Sequence, residues 1–250
     1  MGVGRSGDEH LRDWADLHRT EAPTGFVGGW LRAAAAVARP MARAGISPNS
    51  VTVAALAMAL AAVGLANVPG WWGPAAACAA VILSGLLDSL DGAVAVQAAR
   101  PTRTGFLLDS ALDRVADVAF VVALVVVADR GAWVAVAAVA AAWWLEYVRA
   151  RAGLAEADVP ADTGPGRRAQ SLPPGRSPGR RAQVITPGER PTRIVLTAVG
   201  LGLPPLALAA LWGQVVIVGG SALFLLAHSL RRLHRLDAAS PPGSPPTPTR

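Results

Sequence analysis

DSLDGAVAVQAARPTRTGFLLDSALDRVAD, residues 88–117, holds five of the chain's 17 acidic residues, yet apolar sequence flanks it on both sides. An ionisable side chain at bilayer depth costs about 2.5–3.5 kcal/mol on insertion scales, so acids there point to function. Their spacing sharpens the reading. Asp88 and Asp91 are three residues apart, Asp109 and Asp113 four, so each pair shares one helix face. The short segment 99–104 lets two helices turn those faces toward each other. Four carboxylates at close range do not all stay ionised without a cation. Hard oxygen ligands suit Mg2+ or Mn2+, and two divalent ions balance four charges. Gly92 and Ala95 lie one turn along from the first pair and Gly105 one turn before Asp109, removing bulk beside such ions. Space next to two metals at helix ends suits a pyrophosphate whose oxygens bridge them.

Outward from this stretch the chain is apolar: of 250 residues 52% are hydrophobic and 16% charged, with a mean hydropathy of +0.39. Soluble domains average about 25% charged, so the composition points to a multi-span membrane protein. Six apolar runs stand out, at Ser50–Val68, Trp71–Val96, Gly105–Ala128, Ala132–Val148, Ile194–Leu211 and Gln214–Leu230. The segment Trp30–Ala44 carries Arg32, Arg39 and Arg43 among small apolar residues and reads as an amphipathic helix lying along the membrane surface. The expected fold is therefore an all-α polytopic membrane protein, six transmembrane helices plus this N-terminal juxtamembrane helix.

All 23 basic residues are Arg, and the formal net charge is +6. The connections after the first, third and fifth runs (Pro69-Gly70, Asp129-Arg130-Gly131, Trp212-Gly213) contain one Arg, Arg130. The other 22 fall on the opposite side, which the positive-inside rule makes cytoplasmic, with both termini. The basic excess thus reports topology, and nucleic acid is not an expected partner. The single Cys78 lies within an apolar run, so neither a disulfide framework nor a cysteine zinc site is available. Three parts follow: a polar arm, 1–29, without a signal-peptide core; a membrane domain, 30–236, with a long Pro-, Gly- and Arg-rich cytosolic loop at about 153–192; and a Pro-rich disordered tail, 237–250.

Written out, the constellation is Asp88-x2-Asp91-Gly92-x2-Ala95-x9-Gly105-x3-Asp109-x3-Asp113. It resembles the signature of the CDP-alcohol phosphotransferase (CDP-alcohol phosphatidyltransferase) family, D-x2-D-G-x2-A-R-x8-G-x3-D-x3-D, at seven of eight fixed positions with every spacing kept. ISPNSVT at 46–52 is similar to the family's P-N-x-x-T start of the first span. EYVRAR at 146–151 and ERPTR at 189–193 are similar to its basic stretches around the fourth-to-fifth connection.

The resemblance implies a six-helix membrane enzyme, usually a homodimer, in the plasma membrane of a bacterial-type cell with its site facing the cytoplasm. It implies transfer of a substituted phosphate from a CDP-linked lipid donor, such as CDP-diacylglycerol, to an alcohol acceptor with release of CMP. Asp88, Asp91 and Asp109 are then metal ligands, and Asp113 is both a metal neighbour and the base that takes the acceptor's proton. Asn49, Thr52, Gly92, Ala95, Thr102 and Gly105 line the CDP pocket. The family's Arg after Ala95 is Val96 here. Arg100, four residues on, is expected to cover that turn because helical side chains lean toward the N-terminus; Arg103 is the alternative.

Several neighbours have two readings. Asp117 continues the 109–113 face and reads at least as well as a partner for Arg114 or another Arg as it does as a catalytic group. Glu146 and Tyr147 read as structural. Arg149, Arg151, Arg190 and Arg193 divide evenly between binding an acceptor phosphate and satisfying topology. The acceptor stays open among glycerol phosphate, inositol phosphate, serine and another phospholipid. Competing functions are a magnesium-dependent membrane prenyltransferase, which needs a different Asp spacing, and a catalytically lapsed relative acting as scaffold or transporter, for which Val96 is the one support.

Overall fold

The computed structural model describes residues 25–98, 102–157, 184 and 186–239. Among them every regular element is helical. The order is α1 (Gly25–Arg43), α2 (Pro48–Ala66), α3 (Trp72–Gln97), α4 (Arg103–Ala128), α5 (Ala132–Ala157), α6 (Arg190–Gly202), a 3-10 turn (Pro204–Leu206) and α7 (Ala207–Ala239). Arg100, residues 1–24 of the arm, 240–250 of the tail and most of the 153–192 loop lie outside the described residues.

Local chemistry sets the boundaries. Gly45, at φ +77°, ends α1: its N–H reaches Ala42 O at 3.2 Å and that of Ile46 reaches Met41 O at 3.0 Å, the double closure of a Schellman motif. Ser47 then caps α2, its hydroxyl accepting from Ser50 N–H at 3.1 Å, with Pro48 in the first turn where no N–H is needed. Thr102 caps α4 by accepting from Gly105 N–H at 2.9 Å.

Packing rests on small residues. Ala55, Ala59, Ala62 and Ala66 form a buried row on α2 that meets Ala77, Ala80 and Val81 of α3. The backbones approach closely enough for Ser84 Oγ to donate to Ala55 O at 2.8 Å. Where the partner helix is no more apolar than the lipid, such close contact is what holds helices together. Phe120 and Leu124 of α4 fill the centre against Leu201 and Leu211. A second cluster joins Ala142, Leu145 and Val148 of α5 to Val218, Ala222 and Leu225 of α7. Finally, α1 lays Ala34 and Ala38 on Ala93 and Val94 near the end of α3.

Among the described residues, three helices are long and apolar enough to cross a membrane: Pro48–Ala66, Trp72–Gln97 and Pro204–Ala238. The first four expected runs coincide with α2 to α5. The fifth and sixth do not divide where expected. The apolar pattern predicts their connection at Trp212-Gly213, whereas the chain turns at Leu203–Leu206 and runs through Trp212 and Gly213 as helix. Pro204 and Pro205 cause this: the residue before a proline is pushed out of the helical region, and Leu203 sits at φ −127°, ψ 80°. The turn also leaves no donor idle. Leu203 N–H reaches Val199 O at 2.9 Å, Leu206 N–H reaches Leu203 O at 2.8 Å, and the two prolines have no N–H at all.

Three smaller boundaries move as well. The first helix starts at Gly25, before the expected Trp30; α5 continues past Val148 to Ala157; and α7 runs through Asp237 to Ala239, into the stretch expected to be tail.

Candidate metal and phosphate site

Of the four acids expected to meet, those at 88, 91 and 109 come together. One carboxylate oxygen each from Asp88, Asp91 and Asp109 lies within 4.8 Å of the others. Asp91 is buried, and Thr52 of α2 donates to its Oδ2 at 2.7 Å, so one oxygen has a fixed partner and the carboxylate a fixed orientation. Three carboxylates from two helices are the hard-oxygen donor set that Mg2+ or Mn2+ takes, so these residues fit a divalent cation.

Asp113 stands apart from this trio. Its carboxylate pairs with the Arg190 guanidinium, which also reaches Asp88, and Arg114 lies 3.9 Å away. A narrow crevice is lined by Thr52, Asp88, Asp113 and Arg190 together with the apolar Ala55, Leu56, Leu112 and Ala116.

The expected pocket residues gather at the same end of the bundle. A Cβ added at Gly92 would meet no atom, so the helix next to Asp91 presents an open face. At Gly105 a Cβ would stand 3.0 Å from Thr102 Oγ1 and 3.1 Å from Asn49 Oδ1. The missing side chain is what lets the start of α2 and the start of α4 approach there. Thus Asn49, Thr102 and Gly105 meet in one place, and Thr52 with Asp91 in another. The Thr102 hydroxyl is engaged as a helix cap. Ala95 and Val96 are half-buried on α3, Arg103 is exposed at the start of α4, and Arg100 is not among the described residues.

Behind the site lies an ion network. Arg193 donates to Asp117 Oδ2 at 2.9 Å and approaches Glu146 Oε1 at 3.4 Å. Arg114 is 3.6 Å from Asp117 and 3.4 Å from Glu146. Arg149 donates to Glu146 at 2.8 Å and to Glu189 at 2.6 Å. Asp117 therefore takes the structural role, pairing with both Arg114 and Arg193. Arg149, Arg190 and Arg193 all pair with acids, which neither of their two sequence readings included. No spacing rule links Arg190 to Asp88, 102 residues away.

Among the described residues, apolar helices thus carry a cluster of three acids that fits a divalent cation. The chain belongs to the CDP-alcohol phosphatidyltransferase family, whose family model matches residues 45–226. Members are transferases of substituted phosphate groups, and family and apolar helices together make this an integral membrane protein. Its fold is similar to that of the phosphatidylinositol phosphate synthase of Mycobacterium tuberculosis. The structure of that protein with CDP-DAG bound is 24% identical, covering 88% of this chain and 100% of that one, with a TM-score of 0.54. Its complex with manganese and citrate is 25% identical, covering 79% and 88%, with a TM-score of 0.56. The archaetidylinositol phosphate synthase of Methanothermobacter thermautotrophicus is 41% identical over 69 residues. That match covers 28% of this chain and 35% of the relative, so the chain spans about a third of the curated relative's length.

Proposed function

We propose that this protein moves a phosphatidyl group from a CDP-linked lipid, of the CDP-diacylglycerol type, to an alcohol and releases CMP. The observation that carries the reading is the Asp88–Asp91–Asp109 cluster, assembled from two helices next to the open face at Gly92. In this reading two divalent cations, Mg2+ or Mn2+, bind the cluster and supply Lewis-acid polarisation of the phosphoryl oxygens. Asp91 orients through Thr52, and Asp88 and Asp109 complete the ligand set. Gly92, Ala95, Gly105, Asn49 and Thr102 leave room for and line the CDP portion. Asp113, held by Arg190, takes the proton from the acceptor hydroxyl as its oxygen attacks the lipid-side phosphorus and the bond to CMP breaks.

The acceptor we favour is a phosphorylated polyol of the inositol phosphate kind. Two relatives are named for making inositol phosphate lipids, and Arg149, Arg151 and Arg190 supply guanidinium groups at that end of the bundle. The Arg distribution supports a cytoplasmic setting for this end, and a homodimer is the assembly we expect.

The test is CMP release by the purified chain given CDP-diacylglycerol, Mg2+ or Mn2+, and a panel of inositol phosphate, glycerol phosphate, serine and phosphatidylglycerol. Release with inositol phosphate alone is expected. Release with another acceptor alone revises the substrate, and no release with any overturns the reading.

Val96 adds a second expectation. If Arg100 supplies the phosphate contact absent at Val96, Arg100→Ala raises the KM for the CDP donor about tenfold, the worth of one charge-assisted hydrogen bond. Val96→Arg then lowers that KM. Steady-state kinetics in the donor read both, and two unchanged KM values remove Arg100 from the site.

A further inference from the structure

The contacts of Arg190 with Asp88 and Asp113 are backed by an inner pair that touches none of the groups assigned to metal or substrate. Arg193 and Asp117, each 3% exposed, meet at 2.9 Å. Arg193 lies one turn beyond Arg190 on α6, and Asp117 one turn beyond Asp113 on α4. The two pairs are therefore successive rungs between the same two helices. Exchanging a buried ion pair for apolar residues of similar volume is often neutral or stabilising, so stability alone does not account for the inner rung.

The geometry supplies register instead. Arg193 also approaches Glu146, which accepts from Arg149, which in turn donates to Glu189, the residue just before α6. Glu189 accepts from the Thr186 N–H and hydroxyl at 3.0 and 3.1 Å, and Gly188 N–H donates to Ser221 Oγ at 2.9 Å. The first turn of α6 is thus tied from both of its ends.

We propose that Asp117–Arg193 is a positioning pair: it fixes the height and rotation of α6 so that Arg190 is held across Asp88 and Asp113, and through Arg190 it sets the cluster's affinity for a divalent cation. This rests on reading Asp88, Asp91 and Asp109 as cation ligands. A guanidinium shared between Asp88 and Asp113 competes with a dication for the same charge. Loosening it tightens cation binding.

The experiment is a double-mutant cycle read by Mn2+ titration of the purified full chain in detergent, without substrates. Arg190→Gln is expected to tighten Mn2+ binding about tenfold. Asp117→Leu combined with Arg193→Met, which leaves net charge unchanged, is expected to tighten it about threefold or more in the parent, and less than about 1.5-fold when Arg190 is already Gln. The Tm of the Leu/Met variant stays level or rises. Equal shifts in both backgrounds, or no shift in the parent, overturn the positioning role. Asp117→Asn with Arg193→Gln runs through the same cycle should the Leu/Met pair fail to fold. A parent chain that binds no Mn2+ overturns the metal reading and this proposal with it; binding with additive effects overturns this proposal alone.

Discussion

Asp113→Asn is expected to lower kcat for CMP release by about 10²- to 10⁴-fold, the range that a positioned general base contributes. Mn2+ should still bind, because Asp88, Asp91 and Asp109 form a donor set without Asp113. The substitution keeps the side chain's size and its ability to meet Arg190, so the helix pairing survives. Two results would revise the assignment. A rate within a few-fold of the parent places the base elsewhere, and loss of Mn2+ binding makes Asp113 a ligand first.

The second large effect is at Asp91. Asp91→Ala removes the buried ligand of the trio and leaves the Thr52 hydroxyl without its carboxylate partner. Mn2+ affinity should fall by more than about 100-fold and CMP release by about 10³-fold or more, since the phosphoryl oxygens lose their Lewis acid. Thr52→Val is the graded companion. It keeps all three carboxylates and loses only the donor that orients one, a change expected to cost about 10- to 100-fold. Titration with Mn2+ alongside the CMP assay separates the two. An Asp91→Ala protein that binds Mn2+ like the parent would remove Asp91 from the ligand set.

What could be read from the sequence was local. Asp88 with Asp91 and Asp109 with Asp113 are spaced by one helix turn, so their shared faces follow from the geometry of the helix, and the trio of Asp88, Asp91 and Asp109 follows once two helices meet. Ser47, Pro48 and Thr102 are helix-start chemistry of the same local kind. The turn between α6 and α7 was legible too, in Pro204-Pro205, but apolarity continues through it from Ile194 to Leu211 and hides the break. Hydrophobicity reports burial or lipid, not direction, so apolarity alone favours Trp212-Gly213 as the boundary. The partners of Arg190 and Arg193 lie 102 and 76 residues away. Charge spacing carries no information over that distance, and only the packing of α6 against α3 and α4 brings them together.

The brevity of α6 bears on how the protein is made. Thirteen residues rise about 20 Å, short of a hydrocarbon core of about 30 Å, and two of the first four are Arg. Such a segment has little drive to leave the translocon by itself. The Pro204–Ala238 stretch does have the length and apolarity, and the tight prolyl turn couples α6 to it. The two would enter the bilayer together as one hairpin, after α3 and α4 have been made. A chain halted before α7 would already carry the five aspartates of α3 and α4, with Arg190 and Arg193 not yet seated against them. Assembly of the α3–α4 carboxylates, with Arg114 beside them, would thus precede the arrival of Arg190 and Arg193.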